Sequence, residues 1–278
     1  MLVDGHVHLH TCFGVEAFLE AALSNFEAAR REIGKPGAIA CLLFSESSWS
    51  HYFGAFTRGL LERTAPGWRV DATSEDCSIV ACKNGAAPLV FISGRQIVTA
   101  ERLEVLALGT VREYPDGLPF REALDLAVSS GAIPVVPWGF GKWTGARGRA
   151  VQEALVSPRA GEIFLGDNGG RPAVAPTPRL FEVARATGVP ILPGSDPLPL
   201  PSEVGKPGRI GFVLEGPVDT QRPSASIRAL LSARSQPRRF GRLERLTTFV
   251  VRQAALRLRR RRAERSAEAP VVSSSTGF

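Results

Sequence analysis

The chain has 278 residues and four cysteines, with 44% hydrophobic and 22% charged residues. That composition excludes a disulfide-stapled miniprotein and a disordered polymer, and it leaves room for one large α/β core. The net charge of +7 is unevenly spread: residues 228–278 hold 13 arginines against three glutamates, a net +10, and the rest of the chain carries −3, so any argument about acidic partners rests on the C-terminal segment alone.

Taken in chain order, apolar β-branched runs alternate with segments of helical period, the pattern of a parallel α/β sheet or barrel. Strands are predicted at residues 2–3, 38–44, 89–92, 105–108, 133–136, 163–165, 189–192 and 210–214. Helices are predicted at 15–31, 52–63, 119–130, 146–156, 178–187 and 224–233. Asn84-Gly85, between strand-like runs 77–83 and 88–92, signals one antiparallel hairpin within the alternation. Cys12, Cys41, Cys77 and Cys82 show no CxxC spacing and read as reduced, mostly buried thiols. The N-terminus goes straight into strand-like sequence, and no stretch reaches the ~18 apolar residues of a membrane span. A cytoplasmic protein is the expectation. Three units are expected: a barrel domain over 1–220, a helical extension over 221–263 and a disordered tail over 264–278.

Three of the four histidines fall in Asp4-Gly5-His6-Val7-His8-Leu9-His10, directly after the first strand. Alternation along extended backbone places His6, His8 and His10 on one face with Asp4 in phase. Two imidazoles at a strand's C-terminal end suit a first-row metal, and Asp4 is placed to orient a ring. Ile191-Leu192-Pro193-Gly194-Ser195-Asp196-Pro197 is a second strand running into a polar turn, so Asp196 is a candidate ligand at the same mouth. A helix N-cap is the plainer reading of that turn. Residues 161–170 end a strand in Asp167-Asn168-Gly169-Gly170, where Asn168 or Asp167 could meet a ligand or simply make a turn. The Gly-rich loop 139–148 carries Lys142 and Arg147, with Arg149 just beyond, as candidate cations for an anionic substrate; a solvated loop is its alternative. Glu46 and His51 follow the second strand, His51 reading better as a helix start.

Together these segments resemble the polymerase and histidinol phosphatase (PHP) superfamily of metal-dependent phosphoesterases over about residues 1–215. Asp4-Gly5-His6-Val7-His8 resembles its opening HxH motif, and Gly194-Ser195-Asp196 the start of its late Gly-Ser-Asp-Ala-His motif. Leu103-Glu104-Val105-Leu106-Ala107-Leu108-Gly109, followed by residues 116–123, is similar to the stretch where the family writes His-Val-Leu-Ala-Leu-Gly. The resemblance implies a distorted (β/α)7 barrel with a metal cluster at its mouth, ending here in a basic helix. Four positions depart from the family pattern: Gln96 stands where the family has a bridging Glu, Glu104 where it has His, Val136-Pro137-Trp138 where it has Ala-His-Pro, and Pro197-Leu198 where a second His is due.

What remains is a reduced site of His6, His8 and Asp196 with Glu104 as fourth ligand, enough for one divalent ion (Zn, Mn or Fe) or for none. The leading expectation is a phosphoesterase-like, metal-dependent hydrolase of a small anionic substrate. In it Asp196 or His10 takes up the proton, and Lys142, Arg147 and Asn168 bind substrate. The rival is an inactive PHP-like binding protein that has lost its metal cluster. A third class is an interaction protein whose helix at 240–262, with Leu243, Leu246, Phe249, Val250 and Leu256 on one face, docks nucleic acid, an acidic membrane or an acidic partner. A solvated helix face is the plainer reading of its arginines.

Overall fold

The computed structural model describes residues 1–268. It is a mixed α/β structure of two mixed sheets flanked by helices. Strands β1 (Leu2–Val7), β2 (Ala40–Phe44), β3 (Trp68–Ala72), β4 (Ser78–Lys83), β5 (Leu89–Ile92), β11 (Gly211–Val213) and β12 (Arg238–Phe240) form the first sheet, in the order β12-β11-β1-β2-β5-β4-β3. Strands β6 (Gly94–Val98), β7 (Glu104–Leu108), β8 (Ile133–Pro137), β9 (Phe164–Asn168) and β10 (Ile191–Gly194) form the second, in the order β10-β9-β8-β7-β6. The α-helices are α1 (Val15–Ile33), α2 (Tyr52–Thr57), α3 (Leu60–Thr64), α4 (Phe120–Ser129), α5 (Gly145–Val156), α6 (Arg179–Ala186), α7 (Pro223–Leu231) and α8 (Leu246–Glu268).

Strand alternation sorts the apolar side chains into layers. Ala40, Leu42 and Phe44 of β2 pack outward under α1, where Phe18, Leu19, Ala22, Phe26 and Ala29 share the buried helical stripe. Cys41 and Leu43 point the other way, into a core between the sheets with Val90, Ile92, Leu106, Leu108, Val135 and Leu192. A third cluster packs α4, α5 and α6 on the back of the second sheet. All four cysteines are free, and two of them, Cys41 and Cys77, are buried.

The hairpin at Asn84-Gly85 forms as the sequence indicates, with β4 pairing antiparallel to β5 and Gly85 at φ 76°. Antiparallel pairing goes further than one hairpin. β3 adds to β4, β7 runs against both β6 and β8, and β11 runs against β1 and β12. The sequence gives no strand signal for β3, β6 or β12, which are short and carry Arg69, Asp71, Arg95, Gln96, Arg238 and Arg239. The helix expected over 52–63 is two helices, because Gly59 at φ 83° takes the left-handed conformation and breaks the ladder. Within 221–263, β12 joins the first sheet, and α8 runs past 264 to Glu268. The rest of the tail expected at 264–278, residues 269–278, lies outside the described residues.

No closed barrel is detected among the described residues; the sheets meet instead along two seams. At the first, the Asp196 N–H after β10 donates to the His6 carbonyl of β1 at 2.8 Å. At the second, Glu46 after β2 bridges Arg95 of β6, with Glu46 N–H to Gly94 O at 3.0 Å and Gln96 N–H to Glu46 O at 2.8 Å. Each seam has a glycine at its tightest point. A Cβ on Gly194 would overlap the His6 backbone nitrogen, and one on Gly94 would lie 2.6 Å from the Phe44 carbonyl oxygen.

Candidate metal centre

The first seam carries the chemistry. Leu2 and Val7 face the same outer core although their spacing is odd, and the β1–β2 register shifts between Asp4 and Val7. This irregularity turns His6 and His8 away from that core and takes Asp4 out of phase with them. The expectation that Asp4 orients a histidine ring is therefore corrected. Its carboxylate is buried and accepts backbone N–H groups from Ser195 (2.7 Å) and Gly208 (2.8 Å), pinning the loops after β10 and before β11. Burial raises its pKa to about 7 against the pull of those hydrogen bonds.

His6 Nε2 and His8 Nε2 lie 2.9 Å apart, and each is 3.6 Å from Asp196 Oδ1. The three ligand atoms fall within 4.8 Å of one another. Ligand atoms on a tetrahedral first-row ion at about 2.1 Å are spaced by about 3.4 Å, so the triangle has the size and the donor set of a zinc-like site. His8 is pushed down to about 3 by burial and by the neighbouring His6, which keeps its ring neutral and its lone pair available. Burial alone would raise the Asp196 pKa, but His6, His8, Lys142 and Lys206 outweigh it and hold the carboxylate below its ordinary value.

Asp196 sits at φ 43°, in the left-handed region that an aspartate enters more readily than most residues. Asn168, at the end of β9, holds it there: Asn168 Nδ2 donates to Asp196 Oδ2 and, at 3.3 Å, to the Trp138 carbonyl, while Asn168 Oδ1 accepts the Gly170 N–H at 2.9 Å. Its amide is thus committed to the protein. Asp167 turns aside into a buried bidentate pair with Arg171, at 2.9 and 3.0 Å. His10 stacks on His8, ring centroids 5.4 Å apart, and its Nε2 donates to the Pro197 carbonyl at 2.8 Å. A carbonyl can only accept, so the hydrogen is on Nε2 and Nδ1 keeps its lone pair. Burial lowers the His10 pKa despite that hydrogen bond.

Glu104 does reach this end of the sheet, because β7 is antiparallel and its first residue lies where β8 finishes. It does not join the triangle; its carboxylate is ion-paired with Lys142 from the loop after β8. Lys142 is thereby neutralised beside Asp196 rather than left free for substrate. Arg147, half-buried in the first turn of α5, folds back to donate to Gly141 O at 2.8 Å. Gln96 faces His8 and brings no charge to the site.

The centre opens onto a cleft of about 590 Å³, lined by His8, His10, Trp49, His51, Arg58 and Arg259 among others. Trp49 is 77% exposed. His51 begins α2 without a side-chain cap and contacts Arg95 Nη2 through Nδ1 at 3.0 Å. Arg58 and Arg259 were not singled out by the sequence. The available signal for Arg259 is its spacing of seven from Arg252, two helical turns along the same face.

The C-terminal helix is tied to the body from within. Arg252 pairs with the buried Glu203 and with Glu244 Oε2 at 2.6 Å, and Lys206 joins both carboxylates at 2.9 and 3.6 Å. Of the expected apolar face, Phe249 packs on Phe140, ring centroids 5.2 Å apart, while Leu246 and Val250 are exposed. No helix among the described residues is long and apolar enough to cross a membrane.

No protein-family model and no curated protein matches the chain. In structure it is similar to PsfC from Pseudomonas syringae PB-5123, with 16% identity and a TM-score of 0.56 over 92% of this chain and 97% of that one. It is also similar to the lesion-specific endonuclease PfuEndoQ from Pyrococcus furiosus, with 14% identity and a TM-score of 0.50 over 85% of this chain. The match spans 57% of that endonuclease's length. At these identities the likeness speaks to the fold alone.

Proposed function

We propose that this chain is a metal-dependent hydrolase of a small anionic ester, a phosphoester being the first substrate class to test, built on two sheets that together act as a distorted barrel. The observation that carries it is the convergence of His6, His8 and Asp196 within 4.8 Å beside a cleft. These three side chains would hold one divalent ion. Such an ion, when bound, supplies Lewis-acid polarisation of the ester and acidifies water.

The remaining steps fall to the chain's own groups. Asn168 fixes the rotamer of Asp196, and Asp196, held ionised by its cationic neighbours, serves as ligand. The proton of the attacking water then goes to His10 Nδ1, which is neutral and oriented by the Pro197 carbonyl. Lys142 and Glu104 form a paired rim beside Asp196.

The full chain, purified and loaded with zinc or manganese, is expected to hold ~1 equivalent of metal and to lose it in His6→Ala/His8→Ala. Hydrolysis of p-nitrophenyl phosphate is expected to stop on chelation and return on re-addition. Less than about a tenth of an equivalent, unchanged in the double variant, removes the reading, since a catalytic ion must occupy most molecules. A second reading, an inactive binding protein that has lost its metal cluster, is favoured by the pairing of Glu104 with Lys142, which removes a candidate ligand and a candidate substrate cation together. It predicts less than about a tenth of an equivalent of metal and no hydrolysis of any ester tried.

A further inference from the structure

The proposed site has imidazoles and a carboxylate at its centre and the Lys142 charge spent on Glu104, so the hydrolase reading lacks a free cation to receive an anionic substrate. The cleft lining supplies two, from opposite ends of the sequence. Arg58 closes α2, its guanidinium folded over Gly54, where an added Cβ would lie 3.3 Å from Nη1. Neither Arg58 nor Arg259 has a carboxylate partner within 4 Å among the described residues, whereas Arg95, Arg171, Arg209 and Arg252 all do. An unpaired guanidinium on the lining of a cleft is suited to bidentate binding of an oxyanion.

The position of Arg259 follows from the chain upward. Phe249, Arg252, Leu256 and Arg259 recur at spacings of three, four and three, which is one stripe of an α-helix. Phe249 sits against Phe140, and Arg252 is drawn into the buried Glu203–Lys206–Glu244 cluster, so this stripe faces the body. Seven residues advance the helix by about 10.5 Å with nearly no rotation. That step carries Arg259 past Glu203 to the cleft rim, where it donates to the Pro199 carbonyl and exerts its charge on His10.

We propose that α8 is the fourth wall of the cleft, and that Arg259, paired with Arg58 across it, is the residue that recognises the oxyanion of the substrate. The basic C-terminal helix is on this account a part of the site rather than a free arm for nucleic acid or membrane. The buried ion-pair cluster under Arg252 is its clamp. The inference rests on the hydrolase reading for the ligand being a substrate, and on the geometry alone for the ligand being an oxyanion.

The test is calorimetric titration of inorganic phosphate into the full metal-free chain, so that its outcome does not depend on whether the metal reading holds. Arg259→Gln and Arg58→Gln are each expected to weaken phosphate binding about tenfold or more. Arg257→Gln, which removes an exposed arginine of the same helix that does not line the cleft, is expected to leave it unchanged. Arg252→Gln is expected to weaken it as well, with Arg259 intact, because the clamp is released. Metal uptake is measured in parallel: loss of metal binding in His6→Ala/His8→Ala but not in Arg259→Gln separates the two readings. Equal phosphate affinity in Arg259→Gln and the parent, an equal loss in Arg257→Gln, or no phosphate binding by the parent up to about 10 mM overturns the proposal.

Discussion

The two seams between the sheets are built alike and filled differently. Each joins the strand end of one sheet to the other through backbone hydrogen bonds, and each depends on a glycine where the chains cross, Gly194 at one and Gly94 at the other. At the first, the side chains delivered are lone-pair donors: two imidazoles and an aspartate whose charge is held by its surroundings. At the second they already include their own cation. Arg95 is 8% exposed and binds Glu46 at 3.4 Å, the Ser50 carbonyl at 2.7 Å, His51, and the carboxylate of Glu113. The same backbone device thus makes one pocket with the donor set to hold a cation and another that has internalised one.

The largest effect is expected on breaking the internal cation. Arg95→Met strands the buried Glu46 and should cost about 3–5 kcal/mol in urea unfolding, whereas the double variant with Glu46→Met should recover most of it. A loss below about 1 kcal/mol in the single variant would mean water reaches Glu46 and the seams are not so different.

Next come the glycines. Gly194→Ala and Gly94→Ala both place a Cβ against backbone that cannot swing away, and each should destabilise by about 3 kcal/mol. If only one does, the crossings are not equivalent. Gly194→Ala should also reduce metal uptake, since the displaced backbone is that of His6.

Metal addition should sharpen the contrast from the other direction. Saturating zinc at about 100 times its Kd should stabilise the parent by about 2.7 kcal/mol, and Asp196→Asn should abolish that gain. Arg95→Met should keep it, because Arg95 takes no part in the triangle. Thermal unfolding with and without chelator reads both.

The smallest effect concerns acid. Burial raises the Glu244 pKa, but Arg252, Lys206 and Arg209 outweigh it and hold the carboxylate below its ordinary 4.5. A carboxylate lowered in the folded state adds stability that is full above the unfolded value and is lost as pH falls through the lowered one. Hydrogen exchange across α8 should therefore accelerate below about pH 4.5 in the parent, and Glu244→Gln should flatten that acid dependence while loosening the helix at neutral pH. An α8 whose exchange ignores both changes would not be clamped by this cluster.

Much of this was legible in one dimension. The apolar runs at 38–44, 89–92 and 133–136 announce strands because their side chains are buried on both faces, whereas the break at Gly59 within the helix expected over 52–63 was not legible. The His6-Val7-His8 spacing and the polar turn at Asp196 announce a site, since polar residues at strand ends are otherwise uneconomical to place near a core. The irregularity between Asp4 and Val7 was not legible. It depends on β1 pairing with β2 and abutting β10 at once, and it is what separates Asp4 from the histidines. Nor could spacing show that Glu104 would meet Lys142 first, because the antiparallel run of β7 is set by its neighbours rather than by its own residues.

The sequence by itself determined the apolar strands and the longer helices, that His6 and His8 lie at a strand end, and that positive charge gathers at the C-terminus. Tertiary structure alone decided which charges are left to act. Local pattern reports a residue's own neighbours along the chain, whereas the pairing of Lys142 with Glu104, of Arg95 with Glu46 and of Arg252 with Glu244 joins residues 38 or 49 or 8 positions apart, and only after those partners are taken do Arg58 and Arg259 remain at the cleft.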